Sequence, residues 1–124
     1  MVIRFLNKKT EIEKVNKWLP KRVSAKELPG HIFCAVVDDK IIAIAGLRLM
    51  EGEVCFIDSM ATDQSVEGAK RHEALEELTK GLLDMAKNLG FKKVFATTKE
   101  ECIVERAKRH GFKLSDQKVI VRDL

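Results

Sequence analysis

The chain has 124 residues, of which 45% are hydrophobic and 34% are charged, with a formal net charge of +4 and a pI near 9.0. This balance favours one globular domain spanning residues 1–124 and excludes a disordered chain. No apolar run approaches the roughly 20 residues that cross a bilayer. Lys8, Lys9 and Glu11 leave no signal-peptide pattern at the N-terminus, so a cytoplasmic protein is expected.

The cysteines and histidines are few and widely spaced, which predicts reduced core thiols and neither a disulfide framework nor a metal site. The basic excess allows an anionic small-molecule ligand. Basic triplets occur at Lys70-Arg71-His72 and Lys108-Arg109-His110. Because both triplets fall at predicted helix ends and aromatic residues make up only 6% of the chain, neither nucleic acid nor a membrane is an expected partner.

The first elements are a short strand at Val2 to Leu6 and a helix. The capping box Thr10-x-x-Glu13 predicts where that helix starts, and Pro20 predicts where it ends. Trp18 falls on its apolar face and is interpreted as a core anchor. The segment Lys21 to Gly30 carries a second capping box but meets Pro29-Gly30 after about one turn, which favours a loop.

Three strands joined by short turns follow, at Ile32 to Val37, Ile41 to Met50 and Glu53 to Met60. Asp38-Asp39 predicts a tight hairpin between the first two, so the three should form an antiparallel meander. Gly46, inside the second strand, indicates a bulge or a close approach of another part of the backbone.

The strongest periodic signal is a long amphipathic helix that starts after a polar loop at Asp63 to Gly68 and is capped by Gly90. Its apolar positions recur at three- and four-residue steps: Leu75, Leu78, Leu82, Met85, Ala86 and Leu89. A strand, a loop and a helix N-terminus in this order commonly bind a phosphate group, because the first amides of the helix point at the ligand. The helix is long enough to be a crossover, so the next strand, Lys93 to Thr97, should lie parallel to Glu53–Met60.

The capping box Thr98-x-x-Glu101 predicts a last helix, closed by Gly111. A short strand at Phe112 to Leu114 and a final strand at Lys118 to Val121 are expected after it. The similar stretches Leu89-Gly90-Phe91-Lys92 and His110-Gly111-Phe112-Lys113 mark two helix exits. The resulting α+β order is β-α-β-β-β-α-β-α-β, with a mixed, mostly antiparallel sheet flanked by helices and a V-shaped opening between two strands.

This order resembles the GNAT N-acetyltransferase superfamily over nearly the whole chain. The residues that carry the resemblance are Ile41 to Leu47, Met60-Ala61-Thr62-Asp63, Leu75 to Phe91 and Gly111-Phe112-Lys113. The resemblance implies a cleft between Val54–Thr62 and Lys93–Thr97 that binds acetyl-CoA as the acyl donor. It also implies an amine acceptor, either a small molecule or a protein, and a monomer or homodimer.

The pyrophosphate loop of that family reads Arg/Gln-x-x-Gly-x-Gly/Ala, and the matching positions here are Glu67, Lys70 and His72. All three depart from the pattern, although Gly68-Ala69 supplies small residues two positions early. The resemblance therefore implies an altered cofactor site with these binding residues: Met60, Ala61, Thr62, Glu67, Gly68, Ala69, Lys70, Arg71 and His72. A basic helix entrance without a ligand is the alternative interpretation.

The catalytic groups of the family are also altered. The chain has no tyrosine, and Ala107 stands where many members carry a tyrosine general acid, while Glu100 matches a frequent asparagine. A carboxylate can take the proton of an attacking amine. The candidates for this base are Asp58, which interrupts an apolar strand, and Glu53 at the entry to that strand. The alternative for Asp58 is a residue on a solvated strand face.

These features leave two main functions open. One is an acetyl-CoA-dependent N-acetyltransferase acting on a primary amine. The other is a GNAT-fold protein without catalysis that serves in binding or assembly, similar to small virion-associated phage proteins whose motifs are altered in the same way. Nucleic-acid binding is a third and weaker alternative, since it depends only on the pI and the two basic triplets.

Overall fold

The computed structural model describes residues 1–19 and 27–124, and it confirms the α+β fold class. The elements within these residues are β1 (Val2–Phe5), α1 (Lys8–Asn16), β2 (His31–Val37), β3 (Lys40–Leu49), β4 (Val54–Thr62), α2 (Gly68–Asn88), β5 (Lys93–Ala96) and α3 (Glu101–Arg109).

The strands form one sheet in the order β1-β2-β3-β4-β5. The first four strands pair antiparallel, whereas β5 pairs parallel to β4, as the crossover helix predicts. Asp38 and Asp39 both adopt positive φ, at 49° and 61°. These values are typical of a two-residue hairpin turn whose backbone twist matches the twist of the two strands that it joins.

Two apolar cores occupy the two faces of the sheet, because neighbouring residues of a strand point to opposite faces. The α2 core contains Leu78, Leu82 and Ala86 of the predicted stripe together with Ala74, packed on β2, β3 and β4. The α1 core is smaller and contains Val15 of α1 together with these residues: Leu6, Leu28, Ile32, Cys34, Ile41 and Ile44. The crossover helix is therefore the main apolar cover of the sheet.

Helix α1 begins two residues before the predicted capping box. Asn7 is its N-cap and accepts a hydrogen bond from the Lys9 amide at 3.1 Å. The Glu11 carboxylate in turn accepts from the Asn7 amide and from both terminal nitrogens of Arg4, which lowers the pKa of Glu11 to about 2. This pair ties the start of α1 to β1, and the Thr10 cap is wrong because Asn7 takes that role.

Other predicted boundaries shift for similar local reasons. Helix α1 ends at Asn16, before Pro20, which lies outside the described residues together with most of the Lys21 to Gly30 loop. Helix α3 begins at Glu101 because Glu100 is its N-cap, while the Thr98 hydroxyl accepts from the Glu100 amide at 3.0 Å.

The two helix exits have the same geometry. Gly90 and Gly111 adopt φ of 90° and 88°, and the amide of the following phenylalanine donates back to an alanine carbonyl in the last turn. Phe91 donates to Ala86, and Phe112 donates to Ala107, each a six-residue return that caps the helix.

The strands predicted at Phe112 to Leu114 and at Lys118 to Val121 are wrong in this structure. Residues 113–124 contain neither helix nor strand. Leu114, Val119, Ile120 and Val121 are all exposed, so strand propensity alone did not recruit this segment into the sheet.

Candidate functional site

The candidate site begins where β4 and β5 part. Their pairing runs from Val54 opposite Lys93 to Ile57 opposite Ala96, where β5 ends. Strand β4 continues for five more residues to Thr62 and keeps its pairing with β3 on the other side. The second half of β4 therefore borders an opening on its β5 side, at the place where the sequence predicts a V-shaped gap.

A bulge marks the same point on β4. Asp58 pairs with Gly46 and Ala61 pairs with Ile44, so two residues of β4 face one residue of β3. Ser59, inside the bulge, has a φ of 58°, which is unusual for a residue other than glycine. A Cβ on Gly46 would lie 2.6 Å from Pro29 Cγ and 3.2 Å from the Asp58 carbonyl oxygen, which confirms the predicted close approach.

The N-terminus of α2 faces this opening. Its N-cap, Glu67, makes no side-chain hydrogen bond to the helix within the described part of the chain, and its first turn has no acidic residue. The first amides of a helix carry partial positive charge. An uncapped start followed by Lys70, Arg71 and His72 makes this helix end electropositive.

A cleft of about 510 Å³ lies between the second half of β4, the start of α2 and the start of α3. Trp18, at the end of the first helical segment, contributes one wall, and it packs against the α1 core as well. The other lining residues are Met60, Ala61, Thr62, Gln64, Gly68, Arg71, His72, Leu75, Glu100, Cys102, Ile103 and Arg106. The cleft is therefore apolar along β4 and basic at the helix start.

Arg71 folds back over the start of its own helix. Its Nη2 lies 3.6 Å from the position that a Cβ on Gly68 would occupy, and its Nη1 donates to Gln64 Oε1 at 2.7 Å. Gln64 is fixed by donating to Thr62 Oγ1 at 2.9 Å. Arg71 Nε is buried and meets no hydrogen-bond acceptor among residues 1–19 and 27–124. Buried donors without an acceptor are rare in folded proteins.

Arg106 is the most deeply placed charge of the cleft, because its side chain is only 9% exposed. Its Nη2 lies 3.0 Å from His72 Nδ1, and its Nε lies 3.3 Å from Glu76 Oε1 without the angle of a hydrogen bond. Nη1 and Nε both lack a hydrogen-bond acceptor in the described residues. Glu76 supplies a counter-charge to this guanidinium, but two buried donors that make no hydrogen bond remain costly.

Glu76 holds this arginine in place. Its carboxylate lies 3.3 Å from Arg106 Nε, accepts a hydrogen bond from Arg109 Nη2 at 3.0 Å and contacts His110 Nε2 at 2.6 Å. Burial alone would raise the pKa of Glu76, but the hydrogen bonds from His110 and Arg109 outweigh burial, and the pKa lies below its ordinary value. Glu76 thus joins α2 to α3 and is already partly neutralised by neighbours other than Arg106.

The structure brings six of the nine predicted cofactor residues to the cleft: Met60, Ala61, Thr62, Gly68, Arg71 and His72. Glu67, Ala69 and Lys70 do not line it. Lys70 lies 3.4 Å from Glu73 in an exposed pair, so the charge available to a ligand comes from the next two residues of the helix.

The two predicted bases lie far apart. Asp58 is at the bulge, where its carboxylate accepts from Ser59 Oγ at 2.8 Å and from Arg48 Nε. Arg48 also donates to the Glu27 carbonyl, which ties the Glu27–Gly30 stretch to the sheet. Glu53 is exposed at the opposite end of β4, where its carbonyl accepts from the Lys92 and Lys93 amides. Neither Asp58 nor Glu53 lines the cleft.

Ala107, at the position of the family's tyrosine, does not line the cleft. It borders a cavity of about 40 Å³ that shares Met60, Ile103 and Arg106 with the cleft. The acid position is thus occupied by a methyl group beside a small void.

Sequence reasoning missed Arg106 and Trp18 as site residues. Arg106 follows the apolar pair Ile103-Val104 by a helical turn, so it falls on the buried face of α3. A charged residue on the apolar face of a helix is a sequence signal for a functional site. Here the signal was difficult to recognise, because Lys108 and Arg109 give the last turn of α3 a general basic character.

Two further findings concern the described residues as a whole. Among residues 1–19 and 27–124, no cluster of three metal-ligand side chains occurs. In the same residues, no helix is long and apolar enough to span a membrane.

Among the solved structures similar to this chain, several are described as acetyltransferases, and some are in complex with CoA or acetyl-CoA. Rv2747 from Mycobacterium tuberculosis, in complex with CoA, has a TM-score of 0.77 at 19% identity over 98% of this chain and 76% of its own. An IAA acetyltransferase from Bacillus cereus gives 0.74 at 16% identity over 93% and 78%. A Clostridium acetobutylicum protein described as a predicted acetyltransferase with acetyl-CoA gives 0.73 at 14% identity over 98% and 95%.

No protein-family model and no curated protein sequence matches the chain. Similarity at these identities establishes architecture, because a fold hosts many activities. The mixed five-stranded sheet, its three helices and the matched length agree with that architecture. The chain has the fold of the GNAT acetyltransferases.

Proposed function

We propose that this chain binds acetyl-CoA in the cleft beside β4 and transfers its acyl group to a primary amine. The observation that carries the proposal is Arg106, a buried guanidinium whose Nη1 and Nε are unused within the described residues. Together with Arg71 Nε and the uncapped start of α2, it fits a ligand with closely spaced negative charges. A pyrophosphate has this character.

This arrangement of two arginines would bind phosphate differently from a glycine-rich loop. A glycine loop binds phosphate with backbone amides that approach it closely. Here Arg71 covers the helix start and Arg106 reaches the cleft from α3, so two guanidinium groups from two helices supply the donors. We propose that Gly68, Arg71, His72 and Arg106 hold the diphosphate, and that Met60, Ala61 and Thr62 lie along the pantetheine arm.

The bound cofactor would supply an acyl group activated as a thioester. The residues of this chain would orient it: Trp18 and Ile103 provide apolar walls, and the bulge at Ser59 interrupts the β3–β4 ladder where β4 leaves β5. Asp58 lies at this interruption, and we propose that its carboxylate accepts the proton of the attacking amine, directly or through water.

The alternative is a GNAT-fold protein that binds a ligand or a partner without catalysis. The absence of any tyrosine favours it, since Ala107 cannot protonate a leaving thiolate. The two functions differ in turnover: both allow cofactor binding, and only the first gives acylated amine.

The proposal is tested by titrating acetyl-CoA into the wild type and the Arg106→Gln variant in a calorimeter. We expect the substitution to weaken binding about 10- to 100-fold, the effect of losing charge-assisted hydrogen bonds in a desolvated site. Arg109→Gln is the matched control, because Arg109 also pairs with Glu76 but is 54% exposed and does not line the cleft.

Arg109→Gln should change the affinity less than twofold. Absence of acetyl-CoA binding by the folded wild type at millimolar ligand would refute the proposal. Equal losses in both variants would mean that Arg106 acts by joining the two helices and not by contacting the ligand. Binding without acylation of a panel of small amines and peptides would favour the alternative function.

A further inference from the structure

His72 and Arg106 meet where α2 and α3 come together at the cleft. His72 Nδ1 lies 3.0 Å from Arg106 Nη2. A guanidinium has hydrogen-bond donors and no acceptor, so this contact is a hydrogen bond only if Nδ1 offers its lone pair. The partner therefore assigns the tautomer: His72 is neutral in this arrangement, and its ring proton is on Nε2.

The other ring nitrogen of His72 is directed toward the same carboxylate as Arg106. His72 Nε2 lies 3.9 Å from Glu76 Oε1, and Arg106 Nε lies 3.3 Å from that oxygen. The same oxygen accepts a hydrogen bond from Arg109 Nη2 at 3.0 Å. A separation of 3.9 Å is too long for a hydrogen bond, so Glu76 does not hold the Nε2 proton.

Protonation of His72 would change its contact with Arg106. A second proton would occupy Nδ1, end the hydrogen bond and place two positive groups 3.0 Å apart. Lys70 and Glu73, in the same turn of α2, pair with each other at 3.4 Å. The other described charged or titratable groups of the cluster and the cleft are Glu76, Arg71, Arg106, Arg109, His110, Glu100 and Cys102. Among these groups the cations outnumber the carboxylates.

A diphosphate in the cleft would reverse this balance. Arg106 Nη1 and Nε are buried without a hydrogen-bond acceptor in residues 1–19 and 27–124, and Nη2 has His72 as its partner. Charged phosphate oxygens accept hydrogen bonds from a guanidinium more strongly than a neutral imidazole nitrogen does. When a phosphate takes Nη2, His72 Nδ1 loses its donor and lies beside an anion. Both changes favour a proton on Nδ1, which then donates to the phosphate.

We infer that His72 takes up a proton from solvent when the diphosphate binds, and that the resulting imidazolium holds the diphosphate together with Arg106. This inference rests on the proposed function, because it concerns the same cleft. Its consequence has a definite sign: binding that takes up a proton becomes stronger as the pH falls. The affinity should therefore rise between about pH 8 and about pH 6, the range in which histidines titrate.

His110 is the other histidine of the cluster and provides the matched control. Its Nε2 contacts Glu76 Oε2 at 2.6 Å, and this contact contributes to the lowered pKa of Glu76. His110 does not line the cleft, whereas His72 does. A diphosphate in the cleft should therefore change the protonation of His72 and leave that of His110 unchanged.

Calorimetry with dephospho-CoA tests the inference. This ligand keeps the diphosphate and lacks the ribose phosphate monoester, a group that itself titrates near pH 6 and would add its own protons. Titrations at about pH 7 in two buffers of different ionisation enthalpy give the number of protons taken up. We expect a net uptake of at most one proton by the wild type and by His110→Gln.

The His72→Gln variant should bind dephospho-CoA with almost no proton uptake, because glutamine offers Arg106 an acceptor oxygen but takes no proton. Between about pH 8 and about pH 6 the wild-type affinity should rise about 3- to 10-fold, and that of His72→Gln less than twofold. Nitrogen NMR of the histidine rings gives a second measurement: the His72 ring should carry a proton on Nε2 alone in the free protein and on both nitrogens in the complex. Circular dichroism checks that the variants are folded.

The outcomes separate this inference from the proposed function. Binding of dephospho-CoA by the wild type without net proton uptake overturns the inference and leaves the proposed cofactor site standing. Uptake that persists in His72→Gln, or that is lost in His110→Gln alone, assigns the proton to another group and also overturns it. Absence of binding by the folded wild type refutes the proposed function and this inference with it.

Discussion

At the scale of single residues, Asp58 has a structural contact in addition to the proton transfer that we propose for it. It lies in the bulge where β4 leaves β5, beside Ser59 at positive φ, a type of conformation that clusters at functional sites. Its carboxylate also receives Arg48, which ties the Glu27–Gly30 stretch to the sheet. A substitution at Asp58 therefore needs a control that separates proton transfer from this structural link.

We predict that Asp58→Asn lowers kcat for amine acetylation about 100-fold or more, the usual contribution of a general base, and leaves acetyl-CoA affinity within twofold. Steady-state kinetics and calorimetry measure the two effects. Arg48→Gln removes the same ion pair but keeps the carboxylate, so it should retain most of the activity.

Glu53→Gln should be silent in the same assay, because Glu53 lies at the other end of β4. If Asp58→Asn and Arg48→Gln lose activity equally, Asp58 is a positioning residue and the base lies elsewhere. If Asp58→Asn is fully active, the carboxylate takes no part in the reaction.

At the scale of elements, the contact between α2 and α3 is polar and centred on Glu76. The Glu76 carboxylate meets Arg106 and Arg109 of α3 and His110, the C-cap of that helix. His72 of its own helix lies 3.9 Å away. Removing the carboxylate leaves Arg106 buried beside no counter-charge, which is more costly than losing an exposed pair.

We predict that Glu76→Gln lowers the free energy of unfolding by about 2 kcal/mol at pH 7, measured by urea denaturation. Its matched control is Glu77→Gln, which removes an exposed pair with Lys80 at 3.4 Å and should cost less than about 0.5 kcal/mol. Equal costs would show that the Glu76 cluster is no stronger than a surface pair.

The Glu76→Gln variant also tests how the free energy of unfolding depends on pH. The pKa of Glu76 is lower in the folded chain than its ordinary value of 4.5, so its stabilisation is complete above about pH 4.5 and is lost as the pH falls through the lower folded value. The difference in unfolding free energy between wild type and Glu76→Gln should therefore shrink on acidification below pH 4.5. A difference that stays constant to pH 2 would contradict this linkage.

The sequence predicted the elements whose signals are local. The α2 stripe from Leu75 to Ala86, the Asp38-Asp39 turn and the two glycine exits each depend on neighbours a few residues apart, and all were found in the structure. Leu89, the last predicted position of the stripe, is 52% exposed. The final strand at Lys118 to Val121 was wrong because a strand requires a partner, and no spacing within the segment supplies one.

The candidate site was only half predictable for the same reason. Met60 to Thr62 and Gly68 to His72 belong to one continuous strand-loop-helix stretch, so the motif identifies them together. Arg106 reaches the cleft from α3, and its burial follows from the packing of two helices that are 34 residues apart in the chain at the His72–Arg106 contact. The spacing of residues within one helix does not predict how two distant helices pack against each other.

At the scale of the whole molecule, the sheet lies between two unequal cores. The α1 core gathers few helical residues, whereas α2 places four fully or nearly fully buried side chains on the other face and positions the helix start at the cleft. Stability and site geometry therefore depend on the same helix, and its docking on the sheet should dominate the unfolding energy.

We predict that Leu82→Ala lowers the unfolding free energy by about 3 kcal/mol, because Leu82 is fully buried in the α2 core and its loss leaves a cavity against the sheet. Leu89→Ala is the matched control: it removes the same atoms from the end of the same helix, where the side chain is 52% exposed, and should cost less than about 1 kcal/mol. Urea denaturation at pH 7 compares the two. Similar costs would mean that α2 is held to the sheet by its ends and by Glu76, and that the apolar stripe contributes little.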